Sequence, residues 1–113
     1  MPESVMIDIW TVPSGRQEEM TEGLRAAFEQ FRLIDGFIGA GVLANYDGTK
    51  VASYVRMRSA ADLQSAAEND EVRERLRALE AIGSSHADAY ERTCVIAPPM
   101  DSGPIEVNLG AFL

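Results

Sequence analysis

Phe37-Ile38-Gly39-Ala40-Gly41-Val42-Leu43-Ala44-Asn45-Tyr46-Asp47-Gly48-Thr49-Lys50-Val51-Ala52-Ser53-Tyr54-Val55-Arg56-Met57-Arg58 is the stretch whose reading decides the fold. Two strand-like runs, Phe37 to Asn45 and Lys50 to Arg58, flank Tyr46-Asp47-Gly48-Thr49, and an Asp-Gly pair in that position marks the tight turn of an antiparallel hairpin. Gly39 and Gly41 share one face of the first run, which leaves room there for a bulge or for the close approach of something bulky.

Upstream, Asp35-Gly36 ends a helix whose apolar positions Met20, Leu24, Phe28 and Phe31, with Ala27 and Ile34, recur at three-and-four spacing and so form one stripe. Ser14, following Pro13 and three residues before Gln17, predicts a capping box at its start. Before it, Val5 to Val12 alternates as a strand, with Val5, Ile7 and Ile9 on one face and Met6, Asp8 and Trp10 on the other.

Downstream, Ser59 with Asp62 predicts a helix from Ala60, and a second start at Asn69 or Asp70 leads into Val72, Leu76, Leu79 and Ile82. Gly83-Ser84-Ser85 closes that region, and His86 to Ala97 reads as a last strand before Pro98-Pro99. The order is strand, helix, strand, strand, helix, strand: an α+β, ferredoxin-like βαββαβ domain with an antiparallel sheet, spanning residues 1–98. The tail, 99–113, carries Ile105, Val107, Leu109, Phe112 and Leu113 and is expected to dock, as an added strand on a partner subunit.

Two helices cover only one face of such a sheet, yet the first strand has large residues on both. Met6 and Trp10, opposite the Val5, Ile7 and Ile9 face, are therefore expected to meet a second subunit, which predicts a homodimer. Ten Lys and Arg against eighteen Asp and Glu give a formal charge of −8, which argues against nucleic acid as a partner. No apolar run is long enough to span a bilayer, and Met1-Pro2-Glu3-Ser4 lacks a basic start, so no membrane contact and a cytoplasmic location are expected. Cys94, the single cysteine, forms no internal disulfide and is expected to pack as a small hydrophobe in the last strand.

From Val5 to Pro98 the chain resembles the antibiotic-biosynthesis monooxygenase superfamily of dimeric α/β barrels. The residues that carry the likeness are Ile9-Trp10-Thr11-Val12-Pro13, Ile34-Asp35-Gly36-Phe37 where that family usually has Pro-Gly-Phe, the Asp47-Gly48 turn, Tyr54 with Arg58-Ser59, and Ala89-Tyr90-Glu91. The resemblance implies a cofactor-independent monooxygenase of secondary metabolism that oxidises a small aromatic, polyketide-like substrate with dioxygen, using no flavin, haem or metal. Its best-studied members carry Asn-Tyr-x-x-Trp on the third strand, where this chain reads Ser53-Tyr54-Val55-Arg56-Met57. Ser53 then stands where Asn polarises a substrate carbonyl, and Met57 where Trp stacks on the ring; serine still donates one hydrogen bond, and methionine still packs on an aromatic ring.

His86 with Asp88 two residues on forms a candidate acid-base pair, the alternative being a surface histidine. Tyr90 and Arg92 continue that face, Tyr90 as a catalytic candidate and Arg92 as an anchor for an acidic substrate group or a structural ion pair. Trp10, Phe28, Tyr54 and Met57 are the candidate substrate-binding residues, although Phe28 also suits a core and Trp10 an interface. Two alternatives to the oxygenase remain: a cyclase or isomerase using the same pocket, and a non-catalytic accessory protein that binds a small molecule.

Overall fold

Asn45 ties the hairpin turn together, its side-chain oxygen accepting from the backbone N–H groups of Thr49 (3.1 Å) and Lys50 (2.9 Å). Gly48 takes a φ of 81°, a left-handed conformation that glycine adopts without cost. The structure, a computed structural model, describes residues 2–99. The chain runs β1 (Ser4–Thr11), α1 (Gln17–Phe31), β2 (Phe37–Ala44), β3 (Lys50–Met57), α2 (Ala60–Ala67), α3 (Asp70–Ala78), a 3-10 turn at Leu79–Ala81, and β4 (Ser84–Glu91). The expected α+β, ferredoxin-like order is present. The predicted tail strand lies outside the described residues.

The four strands form one antiparallel sheet in the order β2-β3-β1-β4. The helices cover one face, where Met20, Leu24, Ala27, Phe28 and Phe31 of α1 pack with Val51, Val55 and Met57 of β3. Phe28 and Phe31 meet edge to face, ring centroids 5.7 Å apart, an arrangement the ring quadrupoles favour. The break in the second helical region falls as the sequence predicts: Ser59 accepts from the Asp62 N–H and caps α2, and Asn69 accepts from the Val72 N–H and caps α3.

Several expectations are corrected. β1 faces the other way: Trp10 is buried beneath the helices, while Ile7 and Ile9 are 37% and 38% exposed on the uncovered face. Register is the reason. Trp10 opposes Val51, Met6 opposes Val55 and Ser4 opposes Met57, whereas Ile7 opposes Tyr54 and Val5 opposes Arg56. The polar ends of Tyr54 and Arg56 cannot enter a dry core, so they hold the Val5, Ile7 and Ile9 face outward, and Trp10 follows the apolar side of β3.

The Ser14–Gln17 capping box does not form. Arg16 is the N-cap and offers no side-chain cap, and the Gln17 amide instead donates to the backbone oxygens of Asn45 (2.9 Å) and Lys50 (2.8 Å), fastening α1 to the hairpin. β4 starts at Ser84, two residues early, and stops at Glu91, so Cys94 lies beyond it and is exposed rather than packed in a strand. The bulky neighbour expected at the glycines of β2 is the Tyr54 ring, which occupies the space a Cβ on Gly41 needs, and a register shift between Phe37 and Gly39 supplies the bulge.

Gly83, joining the 3-10 turn to β4, lies so close to β1 that an added Cβ runs into the Thr11 carbonyl oxygen, with Val12 behind it. That oxygen is backbone in a doubly paired strand and cannot give way. Gly83→Ala should therefore lower stability by about 2 kcal/mol, read as a lower urea midpoint at unchanged m-value.

Candidate functional site

Asp8 sits at the centre of β1 on the helix side, 6% exposed, beside Trp10 at 2% and directly across from Ser53 at 2%. Asp8 Oδ1 and Trp10 Nε1 are the two fully buried side-chain polar atoms without a hydrogen-bond partner among the described residues. Burial pushes the Asp8 carboxyl above its ordinary value; the nearby Trp10 indole and, more weakly, His86 temper the rise. The Trp10 indole and the Ile9 backbone N–H lie near enough to favour the carboxylate, although the geometry at Nε1 and Oδ1 falls short of a well-formed hydrogen bond. Leaving one such group wholly unpaired costs about 1–3 kcal/mol.

Two hollows open on this side. One, of about 320 Å³, lies under α2, with Ser4, Met6, Leu63, Gln64, Ala87 and Ala89 in its wall; Met6 neighbours Asp8 on its own face and Ala87 is its cross-strand partner. The other, of about 430 Å³, lies between α1 and β2 over Phe28, Phe37, Ala40 and Val42, with Arg25 and Arg32 at its rim.

The uncovered face carries a different constellation. A groove of about 510 Å³ runs over Val5, Ile7 and Ala52 between Tyr54 and Tyr90. Glu3 closes one end, paired with Arg56 at 2.7 Å and Arg92 at 2.7 Å. The hydrogen bond from Arg56, with help from Arg92, outweighs burial and holds the Glu3 carboxyl below its ordinary value. Arg92 thus has the structural ion-pair partner that the sequence left as one of its two readings. His86 meets Asp88 at 3.2 Å, as the sequence suggests, but both side chains are largely in solvent.

The sheet therefore divides the residues singled out from sequence. Trp10, Phe28, Ser53 and Met57 lie on the helix side; Tyr54, His86, Tyr90 and Arg92 belong to the other. Met57 is wholly buried and Ser53 nearly so. Asp8 escaped the sequence reading, although a lone carboxylate between two isoleucines, on the same face as a tryptophan, was the available signal. Among the described residues, no group of three or more His, Cys, Asp or Glu side chains converges as a metal site, and no helix is long and apolar enough to cross a membrane.

Neither a protein-family model nor a curated protein sequence matches the chain significantly. Solved structures do. A point variant of SnoaB, a cofactor-independent oxygenase from Streptomyces nogalater, superposes with a TM-score of 0.79 at 15% identity, covering 87% of this chain and 100% of that one. The chain shares its α+β fold with this structure and with a putative antibiotic biosynthesis monooxygenase from Nitrosomonas europaea, which gives a TM-score of 0.70 at 17% identity over 80% of this chain and 89% of that one. ActVA-Orf6 of Streptomyces coelicolor, a monooxygenase solved with the ligand nanaomycin D, gives a TM-score of 0.75 at 23% identity over 87% of this chain and 94% of that one. The protein PA3566 from Pseudomonas aeruginosa gives 0.69 at 19% identity, over 83% and 97%. At these identities the likeness establishes the architecture and leaves the chemistry to the residues.

Asp8 makes stability depend on pH in a definite direction. Its folded pKa is raised above the ordinary 3.8, so its contribution to stability is complete below that value and is lost as pH climbs through the folded pKa, where the folded chain must bury a charge. Asp8→Asn, which carries no charge, should raise the melting midpoint by about 4 °C at pH 7 and change it little at pH 3, as differential scanning calorimetry would read it.

Proposed function

We propose that the protein is a cofactor-independent oxygenase of a small aromatic, polyketide-like substrate of secondary metabolism, acting in the cytoplasm as a homodimer. The observation that carries this reading is the buried Asp8–Trp10 pair on the helix side of this fold, the side on which two hollows lie. A flat apolar ring suits such hollows, and hydrogen-bonding atoms in a dry interior act on a substrate far more strongly than in water. In this reading Ser53 donates to a developing oxyanion, Phe28 and Trp10 wall the ring, and the Met57 sulfur packs beneath it. Tyr54, His86, Tyr90 and Arg92, on the uncovered face, serve the subunit seam.

The seam follows from exposure. Ile7, Ile9, Leu43 and Tyr90 stand 37%, 38%, 51% and 48% exposed on one sheet face, an apolar area that a second copy of the same face would cover. The wild-type chain should sediment as a dimer. Ile7→Glu, which places a charge in the middle of that face, should sediment as a folded monomer; a monomeric wild type would remove the seam.

The chemistry is tested with the purified protein, an anthrone and an oxygen electrode. In the oxidation the methylene carbon loses two hydrogens, one atom of dioxygen enters as the carbonyl oxygen, and the other leaves with those hydrogens as water. One dioxygen consumed per quinone formed, well above the buffer rate, is the expected result. No quinone above that rate across several anthrones overturns the reading. Turnover without oxygen uptake points to a cyclase or isomerase, and a ligand bound but recovered unchanged points to an accessory binding protein.

A further inference from the structure

We propose that Ile105-Glu106-Val107-Asn108-Leu109 docks antiparallel on the free edge of β4 in its own subunit, as a fifth strand whose apolar side closes the hollow under α2. The proposal rests on neither the oxygenase reading nor the subunit seam.

β4 is the least covered element of the fold. All eight of its residues are exposed, whereas β2, the opposite edge strand, has three exposed and five half-buried, so an edge position alone does not account for it. Among the described residues, β4 pairs with β1 and with no other strand. The Arg92 N–H donates to the Glu3 carbonyl at 2.9 Å, next to the Ser4–Glu91 pair, so His86, Asp88 and Tyr90 also turn their backbone groups toward β1. The N–H and C=O groups of Ser85, Ala87, Ala89 and Glu91 therefore point outward, and such a row is a template for another strand.

The two sides of β4 differ in character, and the chain beyond Pro99 differs in the same way. Ala87 and Ala89, on the helix side, border the 320 Å³ hollow together with Met6 and Leu63, and their short side chains leave room for larger ones leaning in from a neighbouring strand. His86, Asp88 and Tyr90, followed by Arg92, make the other side polar. Ile105, Val107 and Leu109 alternate with Glu106 and Asn108. Set with its apolar row on the helix side, that segment brings Leu109 opposite Ala89 and Val107 opposite Glu91, and Glu106 then meets Arg92 across the strands. Residues 94–104 join the two, and they include Pro98-Pro99 and Ser102-Gly103-Pro104, which favour a reversal. A tether this short makes pairing within one subunit the favoured event, because the local concentration of the segment is high.

Amide hydrogen exchange of the full chain, read residue by residue by NMR, tests the docking, since pairing along that edge protects the outward N–H groups. Ala87, Ala89 and Glu91 should exchange at least about tenfold more slowly than unstructured amides. In the proposed register the Val107 N–H points at β4 and the Glu106 N–H away from it. Val107→Pro should therefore abolish the outward protection while His86, Asp88 and Tyr90, bonded to β1, stay protected as proof of folding; Glu106→Pro should retain both. Isotope-labelled Val107→Pro, unfolded and refolded with excess unlabelled wild type, should remain unprotected at the outward positions. Protection recovered in that mixture would hand the edge to a partner's segment and overturn the proposal. So would fast outward exchange in wild type, protection that survives Val107→Pro, or protection lost in Glu106→Pro.

Discussion

β1 is hydrogen-bonded on both edges, to β3 and to β4, and its register there determines which residues the whole molecule buries. With Asp8 opposite Ser53 and Trp10 opposite Val51, the helix side receives an aromatic ring, a carboxylate and a hydroxyl in the same layer. A slip of β1 by one residue would exchange Met6, Asp8 and Trp10 for Val5, Ile7 and Ile9. The two faces of the sheet thus acquire separate tasks: a dry interior with a few stranded polar atoms, and an outer apolar surface edged by the Glu3–Arg56–Arg92 pairs.

Most of the architecture is written locally and could be read there. The Asp47-Gly48 turn, the apolar stripe of α1 and the Ser59 and Asn69 caps each depend on contacts within a few residues, and each falls where the sequence places it. What the sequence hides is set at long range. Alternation in β1 reveals two faces without saying which one meets the helices, because that choice is made by Tyr54 and Arg56 some fifty residues away in sequence. Gln17 shows the same limit: its amide is drawn to carbonyl groups of the hairpin rather than to its own helix start.

The site was less legible for the same reason. Motif spacing drew attention to Ser53 and to the polar row of β4, but a motif does not say that the sheet stands between them. Asp8 lies outside the motif, and only its surroundings make it notable: a carboxylate at the centre of a sheet, with no arginine or lysine beside it among the described residues. Chains rarely keep such a group for stability, and the absence of a compensating cation separates it from the well-paired Glu3 a few residues away.

Trp10 is the only tryptophan in the sequence, and it is also the residue nearest in role to Asp8. The interior therefore carries a native optical label. Its ultraviolet emission originates from one defined place, sheltered from bulk solvent and next to a titrating carboxyl, so whatever enters that space or changes its charge acts on a single chromophore, with no background from other indoles.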